Sequence, residues 1–186
     1  MLTLKAPLRT PVLEKEVRRL NVGDRIVISG TIITMRDQAH KRAVEHDKIP
    51  VKIRDLVLYH CGPLVRMEKG MWKVIAAGPT TSSRMEPFEA KLIEKFGPRI
   101  IIGKGGMGSS TAAALKKHGA VYCDFPGGAA VLAASKIKKV LDVKWLDLGW
   151  PEAVWVFRVE DFGPLVVSMD VHGKNLRSGV KEKRVI

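Results

Sequence analysis

Three side chains able to hold an oxyanion, Thr80, Arg84 and Lys104, stand in or beside two glycine-rich turns. These turns are G-P-T-T-S-S-R-M at 78–85 and G-K-G-G-M-G at 103–108. Glycine lets backbone N–H groups come close to a ligand, because no Cβ intervenes. A hydroxyl, a guanidinium and an ammonium are the groups that bind carboxylates and phosphates. Together they predict a small polyanionic ligand. No acid–base pair, nucleophile or metal cluster accompanies the cations, so the segment has the character of half an active site.

A second group lies in T-M-R-D-Q-A-H-K-R at 34–42. Arg36 stands where a strand hands over to a helix, a common place for a binding residue. Asp37 is expected to cap that helix, with His40 and Lys41 one turn on. His40 reads as an orienting or capping histidine, because no partner ligands for a metal stand at suitable spacing. His60, in L-Y-H-C-G-P, reads as a loop residue. Cys61 and Cys123 are far apart and show no C-x-x-C spacing, so two reduced, mostly buried thiols are expected and no cluster or zinc site on this chain.

Other chemistries fit parts of the same letters. Gly103, Gly105 and Gly108 match the dinucleotide fingerprint G-x-G-x-x-G, with Asp124 ending the next strand. Yet about a hundred residues precede the motif, and the run of β-α units that completes a nicotinamide domain is missing. I-I-G-K-G-G resembles the G-x-x-G loop of RNA-binding KH domains. In those domains, however, the loop joins two helices, whereas 99–102 reads as a strand. A Walker P-loop is excluded, since Lys104 precedes the glycines. The formal net charge of +13 invites a nucleic-acid partner. Because the charge is spread along the chain, it fits an anionic substrate or an acidic protein equally well.

The elements that must position these residues can be read from periodicity. Helices are expected over 11–20, 36–47, 87–96 and 109–118, and an alanine-rich helix opened by the glycines at 127 and 128 runs to about 137. Strands are expected over 24–34, 56–60, 73–77, 99–102, 121–124, 140–144, 153–159 and 165–169. Strands on both sides of a central β-α-β segment predict a mixed α/β architecture, which a simple doubly wound parallel sheet does not fit. With 186 residues, 46% of them hydrophobic, the chain is expected to be one domain spanning 1–186. No apolar run approaches the ~20 residues that cross a bilayer. The first residues lack the apolar stretch of a signal peptide, which points to the cytoplasm.

With these residues in view, the chain resembles the β subunit of two-subunit class I fumarate hydratases and L(+)-tartrate dehydratases, and the C-terminal domain of their single-chain relatives. The motifs that carry the resemblance are R-D-Q-A-H-K-R at 36–42, Y-H-C-G-P at 59–63, and the two turns at 78–85 and 103–108. K-K-H-G-A-V-Y at 116–122, P-G-G-A-A-V-L-A at 126–133 and V-E-D-F-G-P-L-V-V-S-M-D at 159–170 complete them. The resemblance implies a swivelling β/β/α domain and an α subunit that carries a 4Fe–4S cluster, in a heterodimer or heterotetramer. It implies reversible hydration of fumarate to (S)-malate, or dehydration of L(+)-tartrate, on a C4 dicarboxylate. It also implies Arg36, Thr80, Arg84, Lys104 and Gly105 as substrate ligands, with Thr80, Arg84 and Lys104 in the chemistry. Neither a nucleic acid nor a membrane is an expected partner. One departure stands out: the single-chain relatives carry K-G-N-R where this chain has Lys104-Gly105-Gly106-Met107.

Overall fold

The computed structural model describes residues 7–126 and 128–178. Its strands are β1 (Leu8–Arg9), β2 (Arg25–Thr34), β3 (Val57–Tyr59), β4 (Leu64–Glu68), β5 (Met71–Ala76), β6 (Ile100–Gly103), β7 (Val121–Asp124), β8 (Ile137–Lys144) and β9 (Val154–Met169). Its α-helices are α1 (Glu14–Val17), α2 (Asp37–Glu45), α3 (Glu86–Phe96), α4 (Ser109–His118) and α5 (Ala130–Ser135). The fold is mixed α/β.

Seven strands form one sheet in the order β1-β2-β3-β6-β7-β9-β8. Strands β2, β3, β6 and β7 run parallel, and β9 is antiparallel to β7, β8 and β2. The β2–β9 pairing closes β2, β3, β6, β7 and β9 into a ring. Side chains alternate across that ring as strand geometry requires. Ile32, Val57, Tyr59, Ile100 and Ile102 enter one core with Trp155, Phe157 and Phe162. Ile33, Leu58 and Ile101 face the other core, against residues of α2, α3 and α4. The I-I-I run of β6 is therefore buried on both faces.

The helices that cover this second face have legible ends. α3 carries Glu86 and Glu89 in its first turn and stops at Gly97, whose φ of 65° is the left-handed stop. α4 opens after Gly108, gathers Lys116, Lys117 and His118 in its last turn, and stops at Gly119.

Several expectations need correction. The helix expected over 11–20 shrinks to α1, because the Val12 N–H bonds to the Asp55 carbonyl at 2.7 Å and ties the preceding chain to a loop. Strand β4 went unseen, and it pairs with β5 as a separate two-stranded sheet. The last two expected strands are one, β9, since its neighbours pair along it through the Gly163-Pro164 break. Asp161 at φ 46° and Gly163 at φ 144° absorb the irregularity there. The alanine-rich helix ends at Ser135, so that β8 begins at Ile137. Its opening glycine at 127 and the N-terminal residues 1–6 lie outside the described residues.

Candidate functional site

The parallel strands β2, β3, β6 and β7 end at one edge of the sheet, where ligands of parallel sheets collect. Arg36 follows β2, His60 follows β3, Lys104 follows β6, and Asp124 ends β7. Sheet topology thus gathers motifs that are up to some ninety residues apart in sequence.

On the surface of this edge sits a cluster of cations. The Arg84 guanidinium donates from Nη2 to Thr80 Oγ1, its neighbour across the short 3-10 turn Ser82–Arg84. Arg84 Nη2 and Arg36 Nε each lie 3.9 Å from Asp37 Oδ1, so one carboxylate stands between two guanidinium groups. Arg36 Nε also lies 2.9 Å from Glu152 Oε1, and the second oxygen of Glu152 accepts the Gln38 N–H at 3.1 Å. Burial raises the Glu152 carboxyl, against the pull of that N–H and of Arg36. The Arg36 side chain passes so close to Gly62 that a Cβ there would meet its Cδ at 2.8 Å. Asp37 does not cap α2: Arg36 holds the N-cap position, and Asp37 lies in the first turn with Oδ1 buried and without a hydrogen bond.

Lys104 and Gly105 join this cluster through the backbone. Lys104 bridges Thr81, and the Ser82 N–H bonds to the Lys104 carbonyl at 3.0 Å, which lays the G-K-G-G loop along the T-T-S-S turn. The Lys104 ammonium is exposed and has no ion-pair partner among the described residues. At the end of this loop, the mouth of α4 is already filled by Glu86. Its carboxylate takes the Gly108 N–H at 2.7 Å, the Thr111 hydroxyl at 2.8 Å and the Ser110 hydroxyl at 2.5 Å. A nucleotide pyrophosphate would need that same helix N-terminus. Asp124, the ribose ligand in a dinucleotide reading, is held by Arg177 at 2.7 Å. The loop also joins a strand to a helix, unlike the helix–helix loop of a KH domain.

Beneath the cations lies a wholly buried polar node. His40 Nε2 and His60 Nε2 converge on one oxygen of Glu89, Oε2, at 3.1 and 3.0 Å. All three side chains are fully buried. The His40 Nδ1 stands 2.8 Å from the Arg36 carbonyl. The His60 Nδ1 stands 2.9 Å from Ser82 Oγ, which accepts the Tyr122 hydroxyl at 2.8 Å. Burial works to raise the Glu89 carboxyl, but the charges and hydrogen bonds of His60 and His40 outweigh it and hold it down at about 2. Burial lowers His60, against the attraction of Glu89.

His60 is a loop residue just beyond β3, as expected, but a fully buried one, and His40 does have potential ligand partners, brought together by the fold from α2, α3 and the end of β3. Two imidazoles and a carboxylate within 4.8 Å of one another could hold a metal ion. The sequence reading missed Glu89, Ser82, Tyr122 and Glu152. A signal existed for Glu89 alone: it falls on the buried stripe Met85, Glu89, Leu92, Ile93 of α3, where an apolar residue belongs.

The two thiols stand apart from any such chemistry. Cys61 and Cys123 are free and buried, and burial pushes both thiols well above their ordinary range. They do not fit the ligand set of an iron–sulfur cluster, which takes deprotonated thiolates. Among the described residues no helix is long and apolar enough to cross a membrane.

A family model described as the fumarase C-terminus matches residues 3–180. The β subunit of L(+)-tartrate dehydratase from Escherichia coli (strain K12) is 43% identical over 174 residues, covering 93% of this chain and 87% of that one. A protein of Geobacillus stearothermophilus provisionally named as a class I fumarate hydratase is 47% identical over 176 residues, which is 94% of this chain but 34% of that longer protein. A Methanocaldococcus jannaschii protein provisionally named as an L(+)-tartrate dehydratase β subunit is 39% identical, with 91% and 90% of the two chains covered. On the match across nearly its whole length, the chain belongs to the fumarase C-terminus family.

Proposed function

We propose that this chain is the β subunit of a hydro-lyase that removes water from, or adds it to, a C4 dicarboxylate, with malate and fumarate as the first pair. The observation that carries this reading is the cationic edge, where Arg36, Arg84 and Lys104 stand around Thr80 at the ends of parallel strands. The names of the E. coli and Geobacillus relatives supply the reaction class.

Dehydration of malate breaks a C–H bond alpha to one carboxylate and the C–O bond of the neighbouring carbon. The proton goes to a base, the hydroxyl takes up a proton from an acid and leaves as water, and the electron pair of the C–H bond becomes the double bond of fumarate. Loss of the proton puts a second negative charge on the adjoining carboxylate, as an aci-carboxylate. Preorganised cations stabilise that charge more than the ground state, which lowers the barrier. Arg36, Arg84 and Lys104 clamp the two carboxylates in this scheme. The Arg84 hydrogen bond leaves Thr80 its own proton to exchange with substrate and stabilises the alkoxide that results. An acidic group of the partner shares the proton transfer, since a threonine alone is a weak base. The family resemblance implies a 4Fe–4S cluster on a partner α subunit, which would supply a Lewis acid for the hydroxyl. The buried, protonated Cys61 and Cys123 have no part in holding it.

A tartrate reading is favoured by the relatives of matching length, which carry that name. Anaerobic co-purification with a cluster-bearing α subunit tests both. Fumarate formation from malate and oxaloacetate formation from L(+)-tartrate are followed for the complex and for each subunit alone. Turnover in the complex only is the expected result, and the faster substrate names the enzyme. No association with an α subunit whose cluster is intact would overturn the reading. The complex is placed in the cytoplasm.

A further inference from the structure

We propose that the His40–Glu89–His60 node is the positioning device of the substrate site, a single buried carboxylate fixing through two imidazoles the places of Arg36 and of the turn that bears Thr80 and Arg84. The proposal rests on the reading of those three residues as substrate ligands.

Arg36, Thr80 and Ser82 are each two hydrogen bonds from Glu89 Oε2, and Lys104 is three. The first link runs through His40, whose Nδ1 and backbone N–H both meet the Arg36 carbonyl at 2.8 Å. The second runs through His60, whose carbonyl takes the Thr80 N–H at 2.7 Å and whose ring meets Ser82 Oγ at 2.9 Å. Ser82 opens the turn that ends in Arg84, and its N–H is bonded to the Lys104 carbonyl. The packing around this node is tight. A Cβ on Gly103 would lie 1.9 Å from Ser82 Oγ and 3.1 Å from His60 Nδ1. The first glycine of G-K-G-G thus makes room for the node and does not serve a nucleotide.

The hydrogens can be placed from the partners. A carbonyl only accepts, so His40 Nδ1 carries hydrogen toward Arg36. One carboxylate oxygen takes both Nε2 contacts at once. Tyr122 donates to Ser82, which leaves the Ser82 hydrogen for His60 Nδ1. All four ring nitrogens have partners, the condition under which such polar groups can stay buried. Glu89 is a positioning residue, since it acts on the proposed substrate ligands only through the two imidazoles. A carboxamide oxygen is a weaker acceptor than a carboxylate, so Glu89→Gln should loosen both contacts.

The test compares the wild-type chain with Glu89→Gln, and with Ser82→Ala as a variant that leaves the contacts of Glu89 intact. In nitrogen-15 NMR on the full chain, the ring-nitrogen signals of both His40 and His60 should move in Glu89→Gln, and those of His60 alone in Ser82→Ala. The Thr80 amide should shift in both variants. In the anaerobic complex, Glu89→Gln should lower kcat by about 10²-fold, the effect of a ~1 Å misplacement. KM should change far less, because attraction between carboxylates and cations tolerates such a shift better than proton transfer does. Ring-nitrogen signals of His40 unmoved in Glu89→Gln would overturn the proposal. So would unchanged kcat in Glu89→Gln, or a stoichiometric metal ion found on the two Nε2 atoms by elemental analysis. If the wild-type complex turns over neither malate nor tartrate, it is the proposed function that fails. The positioning role is then decided by the NMR alone: a Thr80 amide unmoved in Glu89→Gln would refute it.

Discussion

Two polar regions lie one above the other at the same edge of the sheet, and they are built on opposite terms. In the buried node every ring nitrogen has a partner, and only Glu89 Oε1 is left without a hydrogen bond. In the surface cluster above it, two guanidinium groups share Asp37 at 3.9 Å, and Lys104 has no ion-pair partner among the described residues. A network with one orphan oxygen holds position, while an under-paired set of cations suits the proposed dicarboxylate. The difference separates the residues that should set the rate by contact from those that should set it by placement.

Substitutions at the surface should cost activity without stability. Arg84→Ala removes a proposed carboxylate ligand and the hydrogen bond to Thr80 together, and a loss of about 10²- to 10³-fold in kcat is expected in the complex. Its melting temperature should stay close to that of the wild type, since exposed side chains contribute little. A parallel fall in both quantities would erase the distinction between the regions.

Substitutions in the node should cost both. Gly103→Ala forces a methyl into Ser82 Oγ, which should destabilise the chain by about 1–3 kcal/mol in denaturant titrations and lower kcat as well. An alanine tolerated there with full activity would mean that Ser82 can leave His60 without consequence.

Acid should weaken the node before it affects the rest. The folded His60 is lowered from 6.5, so near and below that pH the unfolded chain takes up a proton that the folded chain refuses. That part of the stability is present above about pH 6.5 and is lost as pH falls. Glu89 is held at about 2 against an ordinary 4.5, so its contribution is present above 4.5 and is lost between there and about 2. Melting temperatures measured from pH 8 to pH 3 should fall in this order, and His60→Asn should flatten the first step. The smallest effect is expected at Met71→Ala in β5, a side chain 70% exposed, where stability should change by no more than about 0.5 kcal/mol. A larger loss there would mark the hairpin as part of the frame.

The surface cluster was more legible in the sequence than the node that supports it. Thr80, Arg84 and Lys104 announce themselves by type and by the glycines beside them, and Arg36 by its place at a strand's end. The parallel β6-α4-β7 unit was equally plain, since the I-I-I run and the stop at Gly119 are local signals. The node is assembled from residues up to 82 positions apart, His40 to Tyr122, and no local pattern links them. Asp37 was misplaced as a cap because its type suits that position, while the pairing of Glu152 with Gln38 and Arg36 depends on a tertiary contact. Strand β9 was divided because Gly163-Pro164 looks like a stop, and only its neighbours in the sheet carry it through.

The most direct measurement for the central claim, that this chain supplies the carboxylate-binding half of the site, is steady-state kinetics and melting on one preparation of the complex bearing Lys104→Ala. The account predicts that kcat/KM falls by about 10²-fold or more while the melting temperature, the cluster content and the assembly stay those of the wild type. Turnover equal to that of the wild type would contradict it and remove Lys104 from the site.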